Sequence, residues 1–273
     1  FVDAAANNRV DFVVFPELLT NQLMAVEPGR RPADAVRSLA ELTPRYLELF
    51  SGLSVKHNVN IVGGTQFTLD TSGRLRNVAY LFRRDGTIAR QAKLHITADE
   101  RRWWGLEGGD GLEVFDTDRG RVAILVSYDI QFPELARLAV DEGAQILFVP
   151  FTAEDRHGYL RVRYCCQARA VENEVFVAAA GSTGNLPFVT HADTHYARSG
   201  IFTPLDFSFA RDGIAGESTE NVETLVTADV DLELLRRQRL GGTVRLLADR
   251  RPDLYRVERT GLDDGPSATD AGR

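Results

Sequence analysis

Between Arg121 and Ala180 the chain alternates, with almost no spacer, between short apolar runs and helix-patterned stretches. Residues 121–127 and 146–151 are β-branched and aromatic runs bounded by turn signals, and both are short enough for buried strands. Residues 133–142 space Leu135, Leu138 and Ala139 helically, and Gly143 follows as a C-cap. A second helical stretch, 159–173, leads into another apolar run, 174–180. Strand, helix, strand, helix and strand in so short a span imply a layered α/β fold. Two hairpin signals make the sheets mixed: Asp85-Gly86 lies between runs 78–82 and 87–95, and Asp118-Arg119-Gly120 between 112–115 and 122–126.

The remaining chain fills in the layers. Residues 1–8 read as the end of a helix. The run 11–15 is a strand stopped by Pro16, and 61–64 begins another. Residues 32–56 keep a helical period through Val36, Leu39, Leu42, Leu47, Leu49 and Leu53. Near the end, 222–230 reads as a strand and 231–239 as a short helix. Residues 261–273 are polar and rich in Gly, Ser and Asp, so a disordered tail is expected there. Residues 1–260 are then one domain, large enough to bury a substantial core.

Charge and cysteine usage narrow the class. A net charge of −7 argues against nucleic acid or an anionic membrane as partner. The longest apolar runs are too short to span a bilayer, and there is no secretory signal pattern. Cys165 and Cys166 are adjacent and are the only cysteines, which is no disulfide framework; a reducing cytoplasm is the expected compartment.

In layered α/β proteins ligands gather beyond the carboxyl ends of strands. Glu17 stands there after Pro16, and Ser127 ends the run 122–126. A carboxylate beside an apolar strand end suits a general base, or else caps a loop or pairs with an arginine. Lys93, between Ala92 and Leu94, is either a solvent-facing strand lysine or a buried cation able to stabilise an oxyanion.

Three segments carry these residues: Phe15-Pro16-Glu17, Ala92-Lys93-Leu94-His95, and Ser127-Tyr128-Asp129-Ile130-Gln131-Phe132-Pro133-Glu134. In order and spacing they resemble the signatures of the nitrilase superfamily of carbon–nitrogen hydrolases. Gly143-Ala144, Val149-Pro150, Arg169-Ala170, Glu172-Asn173 and Arg250-Arg251-Pro252-Asp253-Leu254-Tyr255 match as well. The likeness covers nearly the whole chain, lacking a first strand before Phe1, and is nearest a bacterial branch often fused to an acetyltransferase domain. It implies a four-layer α-β-β-α sandwich with mixed sheets, pairing into a homodimer or larger assembly. It also implies a Glu-Lys-Cys triad acting on a small amide or nitrile without cofactor or metal. Glu17 becomes the general base, Lys93 the oxyanion stabiliser, position 127 the nucleophile, and the Tyr128 N–H the rest of the oxyanion hole. Glu100 becomes a second glutamate that orients Lys93 or the substrate, unless it pairs with Arg101 or Arg102. Glu134 becomes a structural residue that ties down the strand-to-helix turn.

Position 127 departs from that pattern, because the family has cysteine there. A thiol ionises near pH 8.5 and a carboxylate can activate it; a serine hydroxyl needs a tuned base. The expectation is an amidase impaired by a Cys→Ser replacement, most simply an engineered one. The alternative is a natural ligand-binding pseudo-enzyme of the same fold. Cys165 and Cys166 lie mid-helix and read as packing residues. Trp103, followed by Trp104, lines the substrate or packs on the hairpins. Asn185 ends the loop Gly181-Ser182-Thr183-Gly184-Asn185, which should face the site. His157 contacts substrate, or else Asp155 beside it simply caps a helix. His191, Asp193 and His195 alternate as metal ligands can, without a further ligand nearby.

Overall fold

The described strands of the computed structural model form two main sheets and one small two-stranded hairpin. The structure describes residues 1–26, 29–187, 189 and 192–260. The first sheet contains β1 (Phe12–Val14), β2 (Asn60–Leu69), β3 (Leu75–Phe82) and β4 (Ile88–Ala92), in that spatial order. β1 runs parallel to β2, and the other neighbours are antiparallel. The second sheet begins with β5 (Val114–Thr117), β6 (Gly120–Ile124), β7 (Ile146–Phe151) and β8 (Phe176–Gly181). A two-residue-stranded hairpin follows, β9 (Gly184–Asn185) and β10 (Thr194–His195), before β11 (Gly200–Phe202) and β12 (Ile214–Glu217) return to the sheet. Its order is β12-β11-β8-β7-β6-β5, with β6, β7 and β8 parallel. The helices are α1 (Val2–Asn7), α2 (Pro32–Glu41), α3 (Thr43–His57), α4 (Pro133–Asp141), α5 (Arg156–Glu172) and α6 (Leu232–Gly241).

Strand alternation builds the layers. In β6 and β7, Val122, Ile124, Ile146 and Phe148 face Val62, Ala79 and Leu81 of the first sheet. Their alternates Ala123, Leu147, Val149 and Phe151 pack with Ala136 and Ala139 of α4 and Val162 and Cys166 of α5. On the far side of the first sheet, Val78, Tyr80 and Phe82 of β3 pack with Tyr46 and Phe50 of α3 and Ala5 of α1. The result is helices, sheet, sheet, helices. It explains why β7 is apolar at every position: both of its faces are buried.

Three expectations are corrected. The helical period of 32–56 is interrupted at Leu42, because Pro44 starts a new helix and cannot continue the old one. Residues 222–230 form no strand. They and β1 line one cavity of about 1090 Å³, and among the described residues β1 makes its ladder only with β2. The cavity, rather than hydrogen-bonding contact, lies between this run and the open edge of β1, so the run has no ladder to join. Lys93 lies just past β4 rather than within it, though its N–H still bonds to the Asn77 carbonyl. The tail 261–273 lies outside the described residues.

Candidate active site

Glu17 is placed by the loop that leaves β1. Phe15 N–H bonds to the Val62 carbonyl, and Leu18 N–H to Thr65 Oγ1 at 2.8 Å, so both ends of Pro16-Glu17 are fastened to β2. Gly64 permits this approach. Its φ is +73°, and a Cβ there would lie 2.0 Å from the Pro16 carbonyl oxygen. Glu17 is thereby buried, 1% exposed. Its Oε1 accepts from Lys93 Nζ at 2.9 Å and Asn77 Nδ2 at 2.9 Å, and its Oε2 from the Thr152 N–H at 3.0 Å.

Lys93 is equally enclosed. Its ammonium also donates to Glu100 Oε1 at 2.5 Å, and Glu100 Oε2 accepts the Thr97 N–H at 2.9 Å. Glu100 opens a short π-helical turn, Glu100–Trp104, that aims it back at the lysine. The two open alternatives are therefore resolved: Lys93 points inward, and Glu100 pairs with Lys93. Burial pushes the Glu17 carboxyl above its ordinary range; Lys93 opposes this and Glu100 reinforces it. Burial alone would lower the Lys93 ammonium, but the two carboxylates hold it above its usual value. A carboxylate raised toward neutrality beside a fixed cation is suited to taking and returning a proton.

Ser127 sits where β6 gives way to a 3-10 turn, Ser127–Gln131. Its φ of 49° is left-handed, a strained conformation for a side-chain-bearing residue that turns it off the strand end. The hydroxyl lies 3.5 Å from the Thr152 carbonyl and interacts with Glu17, favouring its charged form. Tyr128 is the second residue of that turn, where a backbone N–H has no partner within the helix. Its ring meets His95 and Phe132 edge-on. His95 does not serve Ser127: it stacks on Phe132 at 3.6 Å and its Nδ1 lies 2.9 Å from Asp129.

Four residues escaped the sequence reading as site components. Asp129, 1% exposed, accepts from the N–H groups of Leu94 (3.0 Å) and His95 (2.8 Å), joining the lysine segment to the Ser127 turn. Arg169, from α5, donates to the carbonyls of Ile130 and Gln131 at 3.1 Å and holds the same turn from below. Asn77 and Thr152 hold Glu17. Asn77 is an amide in β3, whose every residue is buried, so it needs a partner; the run read from sequence began only at Val78. Thr152 gave no signal in the sequence, because it meets Glu17 and Ser127 through its main chain.

The outer candidates occupy varied environments. His157 is 87% exposed at the start of α5, while Asp155 caps that helix through the Gly158 N–H at 2.7 Å. Asn185 is exposed and pairs with Thr194 in the small hairpin. Trp103 is half-buried against the cluster of Leu39, Phe67 and Trp104, with Arg102 over its ring at 4.7 Å. Glu134 is exposed in the first turn of α4, with no side-chain hydrogen bond to the turn; its charge favours the helix N-terminus instead. Cys166 is fully buried in α5 and burial raises its thiol. His191 lies outside the described residues, and among those described no three metal-binding side chains cluster.

Residues 1–240 match the family model for carbon–nitrogen hydrolases. The chain belongs to the carbon–nitrogen hydrolase family. A probable hydrolase of Bacillus subtilis is 57% identical to this family member over 258 residues, 94% of the chain; the chain spans only 50% of that relative's length. An omega-amidase of Xenopus tropicalis is 30% identical over 79% of the chain and 79% of its own length. A carbon–nitrogen hydrolase from Helicobacter pylori shares the fold, with a TM-score of 0.74 over 93% of this chain and 90% of its own, at 23% identity. This carbon–nitrogen hydrolase chain thus has the nitrilase sandwich that its motifs implied.

Proposed function

We propose that this chain is the hydrolytic domain of an amidase, and that Ser127 stands where the working enzyme carries cysteine. The observation that carries the reading is the buried set Glu17, Lys93 and Glu100 assembled against the left-handed turn at position 127. With a thiol there, sulfur attacks the amide carbon and Glu17 takes the S–H proton. The Lys93 ammonium and the Tyr128 N–H balance the charge on the carbonyl oxygen. The C–N bond breaks, Glu17 returns the proton, and ammonia or an amine leaves a thioester. Water then attacks that carbon, Glu17 takes its proton and passes it to the departing sulfur, and the acid is released.

With serine the same step lacks a competent base. The hydroxyl is far less acidic than a thiol, so a carboxylate able to take a thiol proton is too weak a base for this one. A serine with the other site residues intact fits one replacement at a functioning site. The Ser127→Cys variant tests this by ammonia release over a panel of amides and nitriles. Release by that variant and not by the parent supports the reading. Silence from both, with thermal stabilisation by an amide or acid, overturns it in favour of a binding protein. We propose further that the domain works as a homo-oligomer in a reducing compartment; exposed Tyr164, Leu254 and Tyr255 supply apolar surface for association, which light scattering measures directly.

A further inference from the structure

His195 was singled out as a metal-ligand candidate, but its ring has another occupation. It is the last residue of β10, and its Nδ1 lies 2.8 Å from Thr152 Oγ1. Thr152 is the first residue beyond β7. Its N–H donates to Glu17 Oε2 at 3.0 Å, and its carbonyl lies 3.5 Å from Ser127 Oγ. One residue's main chain therefore touches both the base and the nucleophile position.

The peptide groups on either side are held by backbone bonds. Phe151 O accepts from the Ser182 N–H at 3.2 Å, and Ala153 O from the Tyr196 N–H at 2.8 Å. The Thr152 hydroxyl is the third attachment, and His195 is its partner. His195 at the end of β10, by its ring, and Tyr196 just beyond it, by its N–H, thus grip consecutive residues of the loop after β7.

We propose that His195 is a positioning residue for the hydrolytic site: by holding the Thr152 hydroxyl it aims the Thr152 main chain at Glu17 and at position 127. The inference rests on the amidase reading above. Burial, opposed by Asp193, lowers the imidazole below its ordinary range, so the ring is neutral at physiological pH and offers one acceptor and one donor. A neutral ring places no charge beside Glu17, so its contribution is geometric. Displacing a base from its partner by a fraction of an ångström is enough to slow a proton transfer greatly.

The test uses the Ser127→Cys chain as background. His195→Leu removes the ring nitrogen, His195→Asn restores a polar atom near the Nδ1 position, and Thr152→Val removes only the hydroxyl. Two readouts are taken: steady-state kinetics on an amide the background hydrolyses, and the rate of iodoacetamide alkylation of the thiol introduced at position 127. His195→Leu and Thr152→Val should each lower kcat about tenfold or more with KM little changed. Each should slow alkylation, His195→Asn should recover most of both, and the double variant should be no worse than either single one. Unchanged kcat and alkylation in His195→Leu overturn the proposal, as do losses that simply multiply in the double variant. Equal losses in His195→Asn and His195→Leu, with a matching fall in Tm, also overturn it, since that is what a packing role produces. If His195→Leu does not fold, Thr152→Val decides alone: kinetics and alkylation equal to those of the Ser127→Cys background sink the proposal. A background inactive on every amide counts against the amidase reading instead, and the alkylation rates still judge His195.

Discussion

Asp129→Ala removes three contacts at once from a site 1% exposed: the N–H groups of Leu94 and His95, at 3.0 and 2.8 Å, and the His95 ring, at 2.9 Å. A hydrogen bond to a charged group contributes about 1.5–3 kcal/mol, and a buried donor left without its acceptor costs about 1–3 kcal/mol. The His95 side chain is 36% exposed, so water replaces much of what its ring loses. The two backbone donors therefore dominate, and the variant should be destabilised by about 3–5 kcal/mol. For a chain of this size each kcal/mol moves Tm by roughly 2–4 °C, so a fall of about 6–20 °C is expected. Thermal and guanidinium unfolding followed by circular dichroism measure it, with a lower midpoint at unchanged slope. Asp129→Asn keeps one acceptor oxygen but turns an amide donor toward the other N–H, so it should fall between parent and alanine. Because Asp129 ties the lysine segment to the turn at 127, Asp129→Ala in the Ser127→Cys background should also lose hydrolysis more than tenfold. A Tm within about 2 °C of the parent would refute the claim that this carboxylate joins the two halves of the site.

Two other perturbations probe the charge set and the loop beneath it. Glu17→Gln should abolish hydrolysis in the Ser127→Cys background, and its effect on stability should depend on pH. The folded state raises this carboxyl above 4.5, so its contribution to stability is present at low pH and is lost as pH rises through the folded value. Glutamine removes that loss but turns an amide donor toward Lys93 or the Thr152 N–H, so the variant's Tm deficit should be smaller at about pH 8 than at about pH 5; a deficit that grows as pH rises counts against it. Gly64→Ala and Gly73→Ala share a left-handed φ, +73° and +76°, but only the first forces a Cβ onto a neighbour, the Pro16 carbonyl. Both incur about 1 kcal/mol of backbone strain. Gly64→Ala should unfold at a clearly lower temperature than Gly73→Ala, and equal midpoints would show that the Pro16-Glu17 loop does not rest on that glycine.

What could be read from the sequence was whatever acts through residue type at a local spacing. The crossover units between Arg121 and Ala180 appear because strand and helix periods are local and their order forces layers. Glu17, Lys93 and Glu100 were legible because each carries a charge at a strand end or beside a recognisable motif. Thr152 and Asp129 were not, for different reasons. Thr152 meets Glu17 and Ser127 through an N–H and a carbonyl that every non-proline residue possesses, and the partner of its hydroxyl, His195, is 43 residues away. Asp129 lay within a motif but looked like an ordinary turn carboxylate, since its partners are 34 and 35 residues away. The stretch 222–230 failed in the opposite direction, because its strand-like composition is a preference that needs an edge to pair with.

The site also reports on the closure of the sandwich. Glu17 and Lys93 leave the ends of β1 and β4 in the first sheet; Ser127 and Thr152 follow β6 and β7 in the second. The Glu17–Thr152 bond spans 135 residues of sequence and exists only once the two sheets have packed. Two carboxylates and an ammonium are removed from water there, an arrangement that seldom stabilises a fold by itself. The apolar seam of Val62, Leu81, Ile124 and Phe148 offsets that cost and fixes the sheet separation at which the charges meet. A seam substitution such as Phe148→Ala, whose ring packs on Phe12 of β1, therefore acts on two quantities together. It should cost about 3–5 kcal/mol of stability, and in the Ser127→Cys background it should slow hydrolysis by loosening Glu17 from Thr152. A variant that lost the stability but kept full turnover while folded would show that the loops hold the site without the sheets.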